Sequence, residues 1–504
     1  MQYKKIVGPP GTGKTHYLIE TVESMYVEGA EPNQICYLAF TRKAANEARS
    51  RIHQKLGFSG DQIPWFKTVH ALAFRQLALT KADVMAPSDY WNLGGIVGLH
   101  FTTTNSFSQF DELGLGMSHG DRVLFTANLM RITDSSVDAV IEKFDLDIDP
   151  MEVQYLYDTL AQYKNLNKKI DFTDMLNLFI EYKAKPLGLK HLIVDEAQDL
   201  SPIQWKVIDY IGDGCESIHI AGDDDQAIYK WAGADVDEFI DRPWETVVLP
   251  RSYRVPRTIQ VLADGIASKI SHRVPKVWES HTEEGSIQHI MSVDEVDMST
   301  GTWLLLARNT YLLTIYQDHC LRMGYIFESV IESPIDDDAF RAICLWEKLR
   351  KGETVTVTDA RLVYQYMSTR DRVKYGFKGA LDKADETRHV NIKTLREDFG
   401  LLHEHIWHIA LDKLSDEVRE YFITALKNGE KVLKEPRIKI NTIHGVKGGE
   451  ADNVVLITDM APRTFQEYLK NQDDEMRVWY VGITRARHNL YIVQPMTNRN
   501  FEYL

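Results

Sequence analysis

The clearest candidate for chemistry is a glycine-rich segment near the N-terminus, which reads GPPGTGKT and follows a short apolar run. This G-x-x-x-x-G-K-[ST] spacing lets backbone N–H groups curl around phosphates, with the positive end of the next helix pointing at them. We expect the phosphate-binding residues to be Gly8, Pro9, Pro10, Gly11, Thr12, Gly13, Lys14 and Thr15. Lys14 would hold the β- and γ-phosphates, and Thr15 would offer its hydroxyl to Mg²⁺, which prefers oxygen ligands. The segment therefore predicts ATP or a similar nucleotide as the ligand.

A second segment could supply the base that hydrolysis of such a nucleotide needs. Two adjacent carboxylates, Asp195 and Glu196, follow a strand-like run in HLIVDEAQD. Because ligands bind at the carboxyl ends of parallel strands, both side chains would face the phosphates. We expect Asp195 to bind Mg²⁺ through water and Glu196 to orient and deprotonate the attacking water. The alternative, a solvated acidic turn, fits poorly after a buried-strand pattern.

The third candidate segment, GDDDQAIYKWAGAD, follows another strand-like run, SIHIAG. Gln226 stands where its amide could sense the γ-phosphate from the strand end. Tyr229 and Trp231 could present their rings to a nucleic-acid base, since aromatic stacking is a common way to hold single strands. Large rings are more often buried in a core, which is the alternative for this pair. The neighbouring motifs favour the nucleic-acid interpretation.

Composition sets bounds on the rest of the chain. With 504 residues, 44% of them hydrophobic, we expect about two to four globular units. The formal net charge of −15 restricts any nucleic-acid contact to a local groove. The four cysteines form no CxxC pair, so we interpret them as reduced core thiols without zinc. Since no leader and no long apolar run is found, we expect a cytoplasmic protein without a membrane partner, with a viral or bacterial setting left open.

In order and spacing, these segments resemble the motifs of superfamily 1 DNA helicases of the UvrD, Rep and PcrA type, over nearly the whole chain. Six further segments carry the resemblance: YLAFTRKAANEAR (37–49), KTVHAL (67–72), YKNLNKKIDFTDML (163–176), LPRSYRVP (249–256), TIHGVKGGEADNVVLI (442–457) and EMRVWYVGITRAR (475–487). They are similar to motifs Ia and Ib, to the segment that precedes the Walker B motif (HLIVDEAQD here), and to motifs IV, V and VI. Few other families share this order.

The resemblance implies roles for residues that match these motifs. Arg254 and Arg485, from the second lobe, would contact the γ-phosphate as arginine fingers and stabilise transition-state charge. Tyr253 would stack on adenine, and Glu450 would bind the ribose. The single-strand track would be lined by Phe40, Thr41, Thr68, His70, Tyr229, Trp231 and His444. The two histidines could instead be ordinary loop residues.

The sequence departs from the family pattern at three places. Only seven residues precede Gly8, which leaves no room for the glutamine motif that reads adenine, so base selectivity stays open. The usual KGLEF of motif V is KGGEA here, with Gly449 and Ala451 in place of leucine and phenylalanine, so we expect different local packing. In motif III of the family, which GDDDQAIYKWAGAD resembles, an arginine often follows the tryptophan. Here Ala232 stands at that position, which removes one expected DNA contact.

The order of the motifs predicts an α/β fold with two RecA-like P-loop NTPase lobes, each with a parallel sheet and a mainly helical inserted subdomain. The first lobe would combine residues 1–72 and 165–248, with an insertion at 73–164. The second would combine residues 249–333 and 437–504, with an insertion at 334–436. A basic stretch within the second insertion, residues 369–383, could contact duplex DNA, although a solvated surface is as good an interpretation.

The combined expectation is an ATP-dependent DNA helicase that uses Mg²⁺, translocates 3′ to 5′ on single-stranded DNA and unwinds duplexes. Its partners would be single-stranded DNA and single/double-strand junctions, with replication or repair proteins unidentified. A DNA-stimulated ATPase that displaces proteins without efficient unwinding is the first alternative. A small-molecule P-loop kinase is the second, but it would leave Gln226, Tyr229, Trp231 and the two arginine-bearing motifs unexplained.

Overall fold

A computed structural model describes residues 2–102, 118–144, 146–332, 336–431 and 434–504. These residues form two compact units. The first contains the described residues within 1–287, 460–489 and 499–503, and the second contains those within 288–459 and 490–498, with residue 504. No helix within the described ranges is long and apolar enough to cross a membrane.

The first unit contains a six-stranded sheet in which every pairing is parallel. Its strands are β1 (Gln2–Val7), β2 (Ile35–Ala39), β3 (Phe66–Thr68), β4 (His191–Asp195), β5 (Ser217–Gly222) and β6 (Glu245–Val248). Their spatial order is β3-β2-β4-β5-β1-β6. Every residue of β2 and β5 is buried, as expected for strands covered by helices on both faces. Because β4, β5 and β1 are neighbours, the loops after them meet at one edge of the sheet.

The second unit contains a sheet of the order β7-β14-β13-β8-β12-β9. Its strands are β7 (Ser286–Ile290), β8 (Trp303–Ala307), β9 (Phe327–Ser329), β12 (Ile438–Thr442), β13 (Ala451–Ile457) and β14 (Ala486–Val493). The pairings of β8 with β12 and β13, and of β12 with β9, are parallel. A short antiparallel pair, β10 (Val355–Thr356) and β11 (His389–Val390), lies in the helical insertion. The predicted class of two parallel-sheet lobes with helical insertions is confirmed.

Helices surround both sheets. Those of the first unit are α1 (Lys14–Val27), α2 (Arg42–Leu56), α3 (Val69–Gln76), α4 (Pro87–Val97), α5 (His119–Thr133), α6 (Val137–Lys143), α7 (Pro150–Asn167), α8 (Phe172–Glu181), α9 (Pro202–Gly212), α10 (Val236–Ile240), α11 (Arg257–Ala267), α19 (Pro462–Lys470) and α20 (Gln472–Ile483). Those of the second are α12 (Leu313–Met323), α13 (Asp337–Arg350), α14 (Val357–Gln365), α15 (Phe377–Asp382), α16 (Ile392–Phe399), α17 (Trp407–Ala410) and α18 (Asp416–Lys427).

Each insertion has an apolar core of its own. Helices α4 to α7 bury a cluster that includes Tyr90, Leu129 and Leu156, and helices α13 to α18 bury a larger one around Trp346 and Trp407. The division into compact units places residues 249–287 with the first sheet, whereas the sequence assigned them to the second lobe. Compact units follow contacts, not sheet membership, so the predicted lobe boundaries stay a prediction. The boundary at Pro334 lies outside the described residues.

A buried ion network ties the first insertion to the helix that leads into β4. Arg131 of α5 donates to both carboxylate oxygens of Asp171, at 2.5 and 2.9 Å, and to Asp174 at 2.6 Å. Lys164 lies 2.8 Å from Asp171 and 2.6 Å from Asp174. Although burial opposes it, the two carboxylates raise the pKa of Arg131 above its ordinary value. The network therefore keeps its charges inside the protein as matched pairs.

Replacing Arg131 with methionine should lower the free energy of unfolding by about 3 kcal/mol, because a buried carboxylate pair loses its guanidinium. Urea unfolding followed by tryptophan fluorescence and circular dichroism measures the loss. Arg51→Met is the matched control. Arg51 pairs with Glu47 at the surface, where such a pair contributes about 0–1 kcal/mol. Equal losses in both variants would contradict the structural role assigned to Arg131.

Candidate functional site

The glycine loop follows β1 directly and is built around its own backbone. The Gly8 N–H donates to the Gly222 carbonyl at 2.9 Å, and Lys14 Nζ donates to the Gly8 carbonyl at 2.9 Å. A Cβ at Gly8 would lie 2.2 Å from Lys14 Cγ, so glycine is required there. Gly13, with φ of 80°, caps α1 without a side chain. The first N–H groups of α1 are thereby left to point into the loop, as an anion site needs.

The loop packs on the segment 252–254, which the sequence assigned to motif IV. Ser252 Oγ donates to the Pro10 carbonyl at 2.7 Å, and the Tyr253 N–H donates to the Gly11 carbonyl at 2.8 Å. Gly11 has φ of +72°, and a Cβ there would lie 2.4 Å from Arg254 Cβ. The ring of Tyr253 is 70% exposed beside the loop, where a flat base could stack on it. Ser252 was not among the predicted site residues, because nothing in its spacing reveals this contact.

The predicted Mg²⁺ ligands lie next to each other. Thr15 Oγ1 donates to Asp195 Oδ2 at 2.8 Å, and the Tyr37 hydroxyl donates to the same oxygen at 2.9 Å. Burial and the neighbouring charge of Glu196 raise the pKa of Asp195 to about 6. These two oxygen donors suit Mg²⁺, which keeps several waters and takes few protein ligands. A cation there would offset the burial of the Asp195 charge.

Glu196 is held in an unusual backbone conformation. Its φ of 55° and ψ of 43° lie in the left-handed region, which costs a non-glycine residue about 1–2 kcal/mol. Gln198 Nε2 donates to Glu196 Oε2 at 2.6 Å, and Gln198 Oε1 accepts from the Asp223 N–H at 3.1 Å. The conformation turns the carboxylate off the end of β4, and Gln198 ties it to the loop after β5. Strain of this kind concentrates at functional sites.

Gln226 and Arg485 are joined by a direct hydrogen bond. Arg485 Nη2 donates to Gln226 Oε1 at 2.7 Å, and Gln226 Nε2 donates to Asp223 Oδ2 at 2.5 Å. Arg485 follows α20 and is 1% exposed, with its Nε donating to the Val481 carbonyl at 3.0 Å. The structure therefore brings together two predicted catalytic residues that are 259 positions apart in sequence.

The charge of Glu196 acts on two guanidinium groups, that of the buried Arg485 and that of the half-buried Arg254. Burial and the neighbouring Arg254 lower the pKa of Arg485 to about 9, and burial and Arg487 lower the pKa of Arg254 to about 10. Glu196 opposes both shifts. Positive charges this close together favour the binding of a polyanion such as a triphosphate. The arrangement is typical of a site that binds phosphates.

A buried ion cluster beside Gln226 was missed at the sequence level. Lys276 Nζ lies 3.0, 2.7 and 2.6 Å from carboxylate oxygens of Asp223, Asp224 and Asp225. Arg273 Nε and Nη2 donate to Asp225 at 2.8 and 2.5 Å. The two cations stand in the run SHRVPKVW, which lacks a recognisable motif. No local pattern could have connected them with the aspartates of the third segment.

The predicted aromatic track residues of the first unit form two stacked pairs. The rings of Phe40 and Tyr229 are 5.6 Å apart at 22°, and those of Phe125 and Trp231 are 6.4 Å apart at 23°. All four are partly exposed. Phe125, on α5 of the insertion, was not predicted. Because these rings are partly exposed, the two pairs suit base stacking better than rings closed inside a core would.

The other predicted track residues of this unit are two threonines that cap helices and one histidine. Thr41 and Thr68 cap α2 and α3, accepting from the Ala44 and Ala71 N–H groups at 3.1 and 3.3 Å. Each hydroxyl can still donate its own proton to a phosphate. Burial lowers the pKa of His70 to about 4, so this imidazole is neutral near pH 7. His70 can therefore act as a hydrogen-bonding or stacking group, not as a cation.

Two predicted residues, His444 and Glu450, belong to the second unit, between β12 and β13. Burial, with Arg308 and Lys447 nearby, holds the pKa of His444 well below its ordinary value, so this ring is also neutral. A Cβ at Gly449 would lie 3.0 Å from the Val446 carbonyl oxygen. The tight turn thus explains the glycine that replaces leucine.

Two family profiles match most of the chain. The UvrD/REP helicase N-terminal domain matches residues 2–242, and the UvrD-like helicase C-terminal domain matches residues 343–496. Among named relatives, DNA helicase II of Escherichia coli (strain K12) is 28% identical over 58% of this chain and 42% of its own length. ATP-dependent DNA helicase PcrA of Staphylococcus aureus is 26% identical over 73% of this chain and 50% of its own. ATP-dependent DNA helicase Rep of Buchnera aphidicola is 27% identical over 65% and 51%, respectively. The chain thus spans about half the length of these relatives.

Gly11→Ala should weaken nucleotide binding at least about tenfold, because the added Cβ meets Arg254 at 2.4 Å in a backbone conformation that disfavours side chains. Titration with a fluorescent ATP analogue measures the affinity. Gly265→Ala is the control: its Cβ has no atom within 4 Å and it lies inside α11, so affinity should stay unchanged. Normal affinity in Gly11→Ala would contradict the assigned packing.

Proposed function

The chain belongs to the UvrD/Rep/PcrA-type family of helicases, and from this premise we propose that it is an ATP-hydrolysing DNA helicase. It would use Mg²⁺ and move along single-stranded DNA, in the 3′ to 5′ direction by resemblance to its family. One observation carries the proposal: the charge of Glu196 acts on both Arg254 and Arg485, and Arg254 contacts the glycine loop while Arg485 contacts Gln226. A triphosphate bound to the loop would lie within reach of Glu196, Gln226 and the two arginines.

The proposed hydrolysis assigns one task to each group. Lys14 and the N–H groups of the loop would bind the phosphates, and Thr15 with Asp195 would hold Mg²⁺, which supplies charge neutralisation when bound. Glu196 would take the proton of the attacking water. Gln226, Arg254 and Arg485 would stabilise the negative charge of the transition state. Tyr253 would stack on the base, and Glu450 would bind the ribose.

Contact with DNA is proposed through the stacked rings and nearby polar groups. Tyr229 lies three residues and Trp231 five residues after Gln226, so a strand held on the rings would act directly on the phosphate-sensing loop. Phe40, Thr41, Thr68, His70 and His444 would complete the track. These groups offer rings, hydroxyls and neutral imidazoles, so binding would be sequence-tolerant.

The test is a steady-state ATPase titration with single-stranded DNA, duplex DNA and RNA, followed by strand displacement on duplexes with 3′ or 5′ overhangs. We expect stimulation by single-stranded DNA and displacement from the 3′ overhang. Stimulation without displacement at either overhang would favour a translocase that removes bound proteins. Hydrolysis that ignores every polymer would contradict the proposal.

Glu196→Gln should keep nucleotide binding within about twofold and lower kcat by about 10²- to 10⁴-fold, because the amide cannot accept the water proton. Phosphate release measures kcat, and a fluorescent ATP analogue measures affinity. Glu216→Gln, at a surface carboxylate that pairs with Lys190, should leave both quantities unchanged. Turnover near the wild-type rate in Glu196→Gln would show that another group is the base.

Trp231→Ala should weaken single-stranded DNA binding about 5- to 150-fold, since a stacked base contributes about 1–3 kcal/mol. The DNA-free ATPase should stay within about twofold, because the ring has no predicted contact with the nucleotide. Fluorescence anisotropy of a labelled oligonucleotide measures the affinity. Trp91, 61% exposed on α4, provides the matched control Trp91→Ala, which should bind normally. A normal DNA response in Trp231→Ala would disprove the stacking role.

A further inference from the structure

Lys276 forms an ion cluster with Asp223, Asp224 and Asp225, the three residues that directly precede Gln226. None of the roles above uses Lys276. The side chains of all four residues are completely buried. Replacing buried ion clusters by apolar side chains is often neutral or stabilising, so stability alone is a weak reason to keep one. The cluster therefore calls for a more specific role.

Asp223 belongs both to this cluster and to the proposed catalytic site. One of its carboxylate oxygens lies 3.0 Å from Lys276 Nζ, and the other accepts from Gln226 Nε2 at 2.5 Å. An ionised carboxylate only accepts hydrogen bonds, so only the NH₂ end of the Gln226 amide can face it. The oxygen end must then face the opposite way, where it accepts from Arg485 Nη2 at 2.7 Å. The charge on Asp223 thereby decides which end of the amide meets Arg485.

Lys276 is the main group that keeps Asp223 charged. Burial alone would raise the pKa of Asp223, but Lys276, followed by Lys14, outweighs burial and holds it below its ordinary value. The same burial raises the pKa of Asp224 despite Lys276. In return, and against its own burial, Lys276 has its pKa raised by the three carboxylates. Arg273 binds Asp225 at the other side of the cluster.

We propose that Lys276 is a positioning residue for ATP hydrolysis: it holds Asp223 ionised and in place, so that Asp223 orients the Gln226 amide oxygen toward Arg485. This inference rests on the proposed function. Without Lys276, the amide could rotate and present its NH₂ group to the guanidinium, where two donors would oppose each other. The γ-phosphate sensor and one arginine finger would then no longer act together.

The main variant is the pair Lys276→Met and Asp224→Asn in the full chain. It removes one positive and one negative charge, so the net charge of the cluster is unchanged. We expect kcat of the DNA-stimulated ATPase to fall about tenfold or more, with nucleotide affinity within about twofold. Arg273→Met is the matched control: it removes a cation from the same cluster at Asp225. It should lower the melting temperature and leave kcat within about twofold.

A double-mutant cycle with Gln226→Ala separates positioning from general structural damage. If Lys276 acts through the amide, adding Lys276→Met and Asp224→Asn to Gln226→Ala should change kcat less than about twofold, because residues that act as a unit are not additive. Should the paired variant fail to fold, Asp223→Asn replaces it. Its side chain has the same shape but can donate, so we expect the same loss of kcat and the same dependence on Gln226.

The outcomes are distinct. A kcat within twofold of wild type in the paired variant, or in Asp223→Asn where that replaces it, overturns the positioning role while the proposed function stands. A loss of kcat that multiplies with the loss caused by Gln226→Ala overturns it in the same way. A kcat loss in Arg273→Met as large as that in the paired variant overturns it as well. A wild-type chain whose hydrolysis single-stranded DNA does not stimulate overturns both proposals.

Discussion

The arrangement of this site depends on two neighbouring guanidinium groups, those of Arg254 and Arg485, that share the negative charge of Glu196. Arg485 is buried and Arg254 is half-buried, and the charge of Glu196 acts on both. The burial of such groups is unfavourable unless something anionic joins them. The surrounding contacts keep them in place nonetheless: Gly11 packs on Arg254, and Gln226 accepts a hydrogen bond from Arg485. The charged groups are thus in place before a substrate binds, so the site need not reorganise when negative charge develops on that substrate.

The order of the strands in the sheet explains why groups so distant in sequence can lie in one site. The glycine loop follows β1, the paired carboxylates follow β4, and the aspartates with Gln226 follow β5, and these three strands are neighbours in the sheet. Parallel strands place their carboxyl ends at one edge, so three local motifs become one site. The aromatic pairs follow from the same geometry. Phe40 comes after β2, Tyr229 and Trp231 come after β5, and Phe125 reaches Trp231 from the first insertion.

Within this frame, hydrogen bonds to side-chain amides connect the separate loops. Gln198 joins Glu196 to the backbone of Asp223, and Gln226 joins Asp223 to Arg485. An amide offers one donor end and one acceptor end, so each link has a direction that its charged neighbours decide. Because Asp223 takes part in both links and also contacts Lys276, the state of the buried cluster reaches the arginine through one hydrogen-bonded chain.

The sequence by itself determined the glycine loop, the strands β1, β4 and β5, the helical insertions and the class of fold. These features depend on residues close together in the chain, where spacing and apolar periodicity are sufficient. The resemblance to family motifs added Arg254 and Arg485, although it could not show that Arg485 is buried and bound to Gln226. Only the tertiary structure revealed Ser252 against Pro10, the Tyr37 hydroxyl on Asp195, Phe125 against Trp231, and Lys276 among the aspartates. Each of these pairs joins residues from about 50 to 240 positions apart, and a single side chain with a distant partner leaves no periodic signal in the sequence.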